Sequence, residues 1–327
     1  MIQRIAVVMD PLLRVDVFKD TTFVMILEAL ARGYEVHVCT QDKLGVRDGQ
    51  AYGAFQRVLR LTRDPQSPGE LGPSTVHGLG EFEIIWMRKD PPVDMAYSYT
   101  TQLLDLAPPT SWVLNAPTAL RSYNEKLFCF EFPSLTPRTL LSNDARELKA
   151  FYRELGEDMV LKPLDGAGGK SIFRVIGGDK NLNGLLEMMT DDGRKYAIAQ
   201  QFIPDVRQGD KRIIVIDGEP VGATLRVPPA DDNRANIHVG GRCVKTELTA
   251  REREICAALA PTLRRAELML VGLDVIGDYL TEINITSPTG VQEINQLDGV
   301  CLESILWDRV EAGYRERAQS SRLATTP

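Results

Sequence analysis

The 327-residue sequence has few of the residues that build disulfide frameworks and soft-metal sites. Its five cysteines are odd in number and widely spaced, and no CxxC pair occurs. That pattern predicts free thiols in a reducing compartment and gives no thiolate metal site. The three histidines, His37, His77 and His238, are too scattered to propose as ligand pairs. His37 alternates with valines in a predicted strand, which favours a structural role.

Excess positive charge and long apolar runs are missing as well. The chain carries 45 acidic and 38 basic side chains, a net charge of −7, and such a surface repels nucleic acid and anionic lipid. No apolar run approaches the roughly 20 residues that a transmembrane helix needs. The apolar start, MIQRIAVVMDP, meets Asp10-Pro11 too early for a signal peptide and is predicted to be a strand. We therefore expect a cytoplasmic protein with no nucleic-acid or membrane partner.

The first part of the chain, residues 1–120, has the pattern of an open α/β domain. A strand over 2–9, a helix capped by Asp20 or Thr21 and ended by Gly33, and a strand over 34–39 form a β-α-β opening. Three more strands are predicted in FQRVLRLTR, FEIIWM and SWVLN, with the helix AYSYTTQLLDLA before the last. At this chain length, two or three domains are expected.

The pattern changes to α+β after residue 120. Helices are predicted in NEKLFCFEF, NDARELKAFYRELG and LNGLLEMM, and a strand in KYAIAQQFIP. Two hairpins follow, with turns at 217–218 and near 277–278. The helix between them begins at a capping box of Thr249 and Glu252, and Pro261 should kink it. There is no internal repeat, and the tail AQSSRLATTP is predicted to be disordered.

A glycine-rich loop, LKPLDGAGGKSIFRV at 161–175, joins two of these strands. Its spacing matches neither the Walker phosphate loop nor the dinucleotide fingerprint, and both of those motifs run from a strand into a helix. Lys162 ends a buried-looking strand, so its charge needs an anionic partner. A plain hairpin turn is the alternative, but three glycines exceed what a turn needs. The donors that can fold over a polyphosphate are the backbone groups of Gly166, Gly168 and Gly169, with Ser171.

Three oxygen-bearing side chains lie on the second hairpin. Strand alternation brings Glu282 and Asn284 to one side, and Asp274 on the partner strand can reach the same side. Oxygen donors without cysteine or histidine suit a hard cation such as Mg²⁺. Standing alone, the trio would more often be a solvated hairpin face. Together with the glycine loop, it predicts a magnesium site beside a nucleotide.

Basic residues cluster despite the acidic balance. Arg212 and Arg226 begin and end the first hairpin, and Arg234 lies in the loop beyond it. Arginine binds carboxylates and phosphates bidentately and can offset charge on a transferring phosphoryl group. Arg88 and Lys89, in WMRKDPP, follow a strand end, where α/β sheets bind ligands. A solvated strand end fits that pair equally well on spacing alone.

The combined pattern, a nucleotide between two β layers with a metal on one hairpin and a glycine flap above it, resembles the ATP-grasp superfamily. Over residues 1–315 it resembles the prokaryotic-type glutathione synthetase family, through the motifs MDP, MRKDPP, NEKLF, LKPLDGAGGKSIFRV, GDKR, IDGEP, GGR and VGLDVIGDYLTEINITSPTG. The resemblance implies an α/β N-terminal domain followed by an α+β ATP-grasp fold. Its divisions would be an N-terminal domain at 1–120, a central subdomain with the flap at 121–203, a metal-bearing subdomain at 204–316 and a flexible tail at 317–327.

The resemblance also implies a role for each site residue. Lys126 and Lys162 would bind ATP phosphates, and Asp210 would lie near the nucleotide. An adenine hinge would be formed by Gln200, Gln201, Phe202 and Ile203. Two Mg²⁺ ions, with Mn²⁺ as a substitute, would be held by Asp274, Glu282 and Asn284, with Glu282 as the bridge. The dipeptide or the reacting carboxylate would meet Arg212, Arg226, Arg234 and Ser287, with Arg88 and Lys89 as further substrate contacts. Two departures stand out, Lys170 in the flap and Gln201-Phe202 in the hinge.

The activity that the resemblance implies is an ATP-dependent peptide ligase. ATP would phosphorylate the cysteinyl carboxylate of γ-glutamylcysteine, and the amine of glycine would attack the acyl phosphate, releasing ADP and phosphate with glutathione. Relatives imply a homotetramer. Two alternatives stay open, an ATP-grasp ligase for another carboxylate and amine, and a non-catalytic ATP-binding regulatory protein of the synapsin kind. The complete metal trio beside three arginines favours a ligase. The polar stretch 228–241 is expected to act as a lid.

Overall fold

The computed structural model describes residues 2–166, 171–229 and 241–324. Gly168, Gly169, Lys170, Arg234 and His238 lie outside the described residues, as does most of the expected lid. In the part that is described, three sheets follow one another along the chain, with seven, four and five strands.

The N-terminal sheet has the order β3-β4-β2-β1-β6-β7, and β5 pairs with β4. Its strands are β1 (Arg4–Met9), β2 (Glu35–Cys39), β3 (Leu44–Arg47), β4 (Gln50–Leu61), β5 (Gly69–Gly78), β6 (Ile84–Arg88) and β7 (Trp112–Leu114). The helices are α1 (Thr21–Ala31), α2 (Met95–Leu104) and α3 (Pro117–Ser122). The pairs β1–β2, β1–β6 and β6–β7 are parallel, which confirms the open α/β domain.

Local sequence signals place the first elements correctly. β1 and β6 are almost wholly apolar and buried, as expected of parallel strands covered on both faces. The Asp20 carboxylate accepts a hydrogen bond from the Phe23 N–H at 2.6 Å and so caps α1. Gly33 has φ +84° just beyond the end of α1, a conformation that favours glycine. The edge strands β3 and β5 were not predicted.

The central sheet is antiparallel, in the order β10-β9-β11-β8. Its elements are β8 (Thr139–Ser142), α4 (Ala145–Glu154), β9 (Asp158–Pro163), β10 (Phe173–Ile176), α5 (Leu182–Thr190) and β11 (Ala197–Gln201). Met159, Leu161 and Val175 pack with residues of α4 and α5, so the alternate positions, Lys162 among them, face the opposite side. The predicted strand–loop–strand order around the glycine loop is confirmed. NEKLFCFEF forms only a short 3₁₀ helix, Leu127–Glu131.

The C-terminal sheet is also antiparallel, in the order β14-β13-β12-β15-β16. Its elements are β12 (Asp210–Ile216), β13 (Glu219–Val227), β14 (Arg242–Lys245), α6 (Ala250–Arg265), β15 (Leu270–Ile276) and β16 (Tyr279–Asn284), followed by α7 (Val291–Asp298) and α8 (Leu302–Ala324). Both predicted hairpins and the capping box of Thr249 and Glu252 are confirmed. Pro261 lies inside α6, which continues to Arg265.

The chain end differs from the prediction. α8 continues to Ala324, so the expectation of an irregular tail from Ala318 is wrong up to that residue. The helix returns to the N-terminal domain, where the Trp307 indole N–H donates to the Met25 carbonyl at 2.8 Å. Across residues 2–166, 171–229 and 241–324, no helix combines the length and apolarity needed to cross a membrane.

Asn115 ties the N-terminal domain to the C-terminal sheet. Its buried amide donates to the carbonyls of Leu270 and Ile285, at 2.9 and 2.8 Å, and accepts from the Leu270 N–H at 3.0 Å. Leu270 begins β15 and Ile285 follows β16. The N-terminal domain therefore fixes the pair of strands that carries the predicted metal ligands.

Candidate active site

A narrow cleft that opens to solvent lies between the central and C-terminal sheets. One wall comes from the central sheet, and the other from Thr281 of β16 and the segment 126–136 that precedes the central sheet. The lining residues include Lys126, Thr139, Lys162, Ile198, Gln200 and Thr281. Both lysines that were predicted to bind phosphates therefore meet in one cavity.

Lys162 lies in this cleft on β9. Its ammonium donates to the Gln200 side-chain oxygen at 2.7 Å, and the Gln200 amide donates to the Thr139 hydroxyl at 3.0 Å. Burial lowers the pKa of Lys162, while the nearby Glu282 carboxylate acts in the opposite direction. Among the described residues no carboxylate oxygen lies within salt-bridge distance of it, so this charge can accept an incoming phosphate.

Lys126 joins the glycine loop to the second hairpin. Its ammonium donates to the Gly166 carbonyl and forms an ion pair with Glu282 at 3.0 Å. Glu282 stands directly opposite Asp274 in the β15–β16 register. Ser171, at the other end of the loop, is exposed and has φ +57°. The loop thus begins beside the candidate metal ligands.

Two arginines and two aspartates form a buried cluster at one end of β12. Arg212 Nε lies 2.6 Å from Asp274 Oδ1, and Arg212 Nη2 donates to Asp274 Oδ2 at 3.0 Å. Arg226 bridges Asp210 at 2.6 Å and Asp274 at 3.0 Å. The antiparallel register explains the arrangement, because it pairs Asp210 with Arg226 and Arg212 with Asp274. The cluster is electrically neutral as a whole.

The pKa values of the two aspartates are shifted in opposite directions. Burial alone would raise the pKa of Asp274, but the adjacent Arg212 and Arg226 guanidinium groups outweigh it and lower that pKa to about 2. Burial raises the pKa of Asp210 to about 6, with Arg226 opposing the rise and the Asp274 carboxylate adding to it. Two carboxylates sharing one arginine therefore separate into a strong and a weak acid.

The predicted metal ligands present a donor set that fits a hard cation. Asp274 and Glu282 face each other across the strands, and Asn284 stands opposite Gly272. The Asn284 amide nitrogen donates to the Gly272 carbonyl at 3.1 Å, which leaves its oxygen as the ligand atom. Within the described residues, no group of three or more His, Cys, Asp or Glu side chains could hold a metal ion. An all-oxygen site of two carboxylates and one amide still suits Mg²⁺.

The predicted substrate residues of the N-terminal domain are largely committed to protein contacts. Arg88 is buried and donates to the Thr22 hydroxyl and to the carbonyls of Thr286 and Pro288, at 3.0, 3.4 and 3.2 Å. Lys89 forms an ion pair with Asp10 at 3.1 Å. Ser287, between the two carbonyls that Arg88 holds, is half-buried. Arg88 therefore reaches the loop that carries Ser287.

Some groups of the predicted adenine hinge, residues 200–203, already have partners within the protein. The Gln201 N–H donates to the Arg138 carbonyl at 2.9 Å, and the Ile203 carbonyl accepts from the Val206 N–H at 3.2 Å. The Phe202 ring is covered by the Arg174 guanidinium, 3.5 Å from the ring centroid. These contacts leave the Gln200 side chain as the hinge group that lines the cleft. Asp210 does not line it and is bound to Arg226 instead.

Glu125 is the residue at this site that sequence reasoning missed. One of its carboxylate oxygens accepts hydrogen bonds from the Ile285 N–H, the Thr286 N–H and the Thr286 hydroxyl. Burial raises the pKa of Glu125, as does the neighbouring Glu282 carboxylate. Its sequence signal was its place in the NEKLF motif beside Lys126, and it was passed over because a glutamate in a predicted helix ordinarily faces solvent.

Comparison with known proteins adds independent evidence. Residues 3–121 match the family model of the prokaryotic glutathione synthetase N-terminal domain, and residues 125–299 match the ATP-grasp domain of the same family. A glutathione synthetase of Brucella melitensis biotype 1 is 48% identical over 310 residues, covering 94% of this chain and 98% of the relative. A glutathione synthetase of Mesorhizobium japonicum is 46% identical over 308 residues, with 94% and 98% coverage.

Solved structures show the same fold at low identity. The D-cycloserine synthetase DcsG superposes with a TM-score of 0.62 at 14% identity, covering 93% of this chain and 99% of that one. The ATP-grasp ligase PsnB, complexed with minimal precursor, Mg and ADP, gives 0.61 at 16% identity, with 95% and 98% coverage. The predicted α/β domain followed by an ATP-grasp fold is confirmed.

Proposed function

The chain belongs to the prokaryotic glutathione synthetase family, which makes it an ATP-dependent ligase, and we propose that it joins γ-glutamylcysteine to glycine through an acyl phosphate. The observation that carries the proposal is the convergence of Lys126 and Lys162 in one cleft beside the cluster of Arg212, Asp274 and Arg226. Cations for a polyphosphate and cations for a carboxylate thus stand next to each other, and phosphoryl transfer needs both.

Each group of residues has a role in this reaction. Lys126 and Lys162 bind the phosphates of ATP, and Gln200, which holds the Lys162 ammonium, orients that lysine in the cleft. Arg212 and Arg226 hold the substrate carboxylate and offset the charge of the acyl phosphate. Asp274, Glu282 and Asn284 hold Mg²⁺, which neutralises charge on the phosphate oxygens when bound. No nucleophilic side chain is needed, because the amine of glycine attacks the activated carboxylate.

The remaining site residues have supporting roles in the proposal. The glycine loop, with Gly166, Gly168, Gly169 and Ser171, covers the phosphates, and the stretch 228–241 with Arg234 excludes water from the acyl phosphate. Ser287 contacts the dipeptide, and the loop that carries it is held by Arg88. A homotetramer stays a prediction from the family resemblance, which light scattering of the purified protein tests. A cytoplasmic location stays a prediction from the sequence.

The test of the function is ADP release across a panel of γ-glutamyl dipeptides and amines. We expect rapid ADP formation only when γ-glutamylcysteine, glycine, ATP and Mg²⁺ are all present, with glutathione as the product by mass spectrometry. Turnover with another amine and none with glycine would favour the ligase of different substrate choice. Tight ATP binding without turnover on any substrate would favour the regulatory alternative.

A further inference from the structure

Glu125 connects two parts of the site that are distant in sequence. Its carboxylate oxygen accepts from the Ile285 N–H at 2.8 Å, the Thr286 N–H at 3.0 Å and the Thr286 hydroxyl at 2.9 Å. Its main-chain carbonyl accepts from the Ile283 N–H at 3.0 Å. The short segment around Glu125 therefore lies along β16 and its continuation, and four hydrogen bonds fix their separation.

The two segments joined in this way carry different functions. Lys126, the next residue after Glu125, meets Glu282 on β16. Residues 285–286 lead from Asn284 to Ser287. One side chain thus links a phosphate-binding lysine to the stretch between the metal ligands and the predicted substrate contact. Losing that carboxylate would leave two backbone N–H groups without their acceptor, which is costly in a partly buried place.

The same loop is held from its other side by the N-terminal domain. Arg88 donates to the carbonyls of Thr286 and Pro288, and Arg212 donates to the Thr289 carbonyl at 3.0 Å. Thr286 is therefore fixed at its N–H by Glu125 and at its carbonyl by Arg88. A loop held at both backbone groups of one residue keeps a defined position, which a substrate contact on it requires.

We propose that Glu125 is a positioning residue of this ligase, one that sets the place of the Thr286–Thr289 loop relative to Lys126 and so determines how the dipeptide carboxylate meets the bound phosphates. The inference rests on the proposed function. Glu125 acts through hydrogen bonds to the loop and has no part in proton transfer or phosphate binding. Lys126 is held independently, because the Asn124 side-chain oxygen accepts from the N–H groups of Lys126 and Leu127 at 3.0 and 3.1 Å.

Kinetic comparison of Glu125→Ala with Glu125→Gln tests the proposal. The Gln amide oxygen can accept the same three hydrogen bonds, so we expect Glu125→Gln to keep most of the activity. Glu125→Ala should lower kcat/KM for γ-glutamylcysteine by on the order of 10–100-fold, the range expected when a reacting group is misplaced. The Kd of a fluorescent ATP analogue should change little, since Asn124 still holds Lys126.

Glu252→Ala is the matched control for loss of a buried carboxylate. Glu252 also accepts a backbone N–H, from Thr249 at 2.7 Å, and pairs with Lys211 at 2.8 Å, far along the chain from the loop. It should lower the unfolding temperature without changing the kinetic constants of the folded fraction. If Glu125→Ala changes kcat/KM no more than Glu252→Ala does, or if Glu125→Gln is as impaired as Glu125→Ala, the positioning role is refuted.

Amide hydrogen exchange separates this inference from the proposed function, because it needs no substrate. The amides of Ile285 and Thr286 should exchange faster in Glu125→Ala than in the wild type and stay protected in Glu125→Gln. Unchanged protection in Glu125→Ala would refute the contact itself. A wild type that makes no glutathione while the exchange results hold would refute the proposed function and leave the loop contact established.

Discussion

Replacing Asp274 by Asn should damage both folding and catalysis. Asp274 is only 4% exposed, and its carboxylate lies within 3.0 Å of nitrogens of both Arg212 and Arg226. Asn conserves the volume, so no cavity forms. The charge of the four-residue cluster with Asp210 nevertheless rises from zero to +1 in a buried place. Removing one partner of a buried ion pair costs roughly 3–5 kcal/mol, and we expect a loss of unfolding free energy in that range.

Glu282→Gln provides the contrast. Glu282 is 23% exposed and, within the described residues, has one ion pair, to Lys126. Partly exposed pairs of this kind contribute at most about 1 kcal/mol, so the variant should unfold nearly as the wild type does. Its turnover should still fall by on the order of 10²–10³, the loss typical of removing a group that stabilises transition-state charge. Of these two residues, which are paired across β15 and β16, we expect Asp274 to matter for both stability and turnover and Glu282 mainly for turnover.

Urea denaturation followed by far-UV circular dichroism, with ADP release measured on the same samples, checks both variants. The urea midpoint should fall clearly for Asp274→Asn and remain close to the wild type for Glu282→Gln, with little turnover in either. Equal midpoints for Asp274→Asn and the wild type would contradict the account of the buried cluster. Normal turnover of Glu282→Gln at limiting Mg²⁺ would show that Glu282 is not a metal ligand.

Three further predictions concern binding, pH and the lid. Lys162→Met should weaken ATP binding, measured by fluorescence titration, by roughly 10–100-fold without lowering stability, because this ammonium has no carboxylate within salt-bridge distance in the described chain; unchanged affinity would contradict its role. The pKa of Asp210 is raised from 3.8 to about 6, so its contribution to stability is complete below pH 4 and is lost as the pH rises through 6. Asp210→Asn should therefore flatten the fall in the wild-type unfolding temperature across that interval, and an identical pH profile would contradict the shift. Limited proteolysis should cut near Arg234, outside the described residues, and ATP with γ-glutamylcysteine should protect that bond; equal cleavage with and without ligands would remove the lid.

Sequence patterns predicted the fold where local chemistry specifies it. Asp20 caps α1 through its own side chain, and Thr249 with Glu252 forms the capping box of α6. A few consecutive residues were therefore enough to predict where each helix begins. The turn at Asp217-Gly218 has positive φ at both residues, 50° and 75°, and an Asp-Gly pair favours that conformation. These signals are independent of the rest of the chain.

Elements that depend on distant partners were missed or misjudged. β5 is an edge strand of mixed burial with little apolar alternation, and its pairing with β4 is what makes it a strand. The chain from Leu302 to Ala324 is helical as a whole, and its first half packs against α1 through buried Trp307 and Leu306. The polar second half continues that helix, although its composition alone predicted a disordered tail.

The sequence suggested members of the candidate site, but it could not show how their charges are paired. Residue types and strand alternation indicated Lys162, Asp274 and Glu282, the family resemblance added Lys126, and the structure brings these residues together. The sequence could not show that Asp274 is held between two arginines, because a one-register shift of β12 against β15 would place Arg212 on the other face of the sheet. That register also decides which carboxylate is the strong acid. Under the proposed function, substrates and metal would compete with the ion pairs of Asp274, so that ligand charges replace protein charges and no unpaired charge is left in the interior.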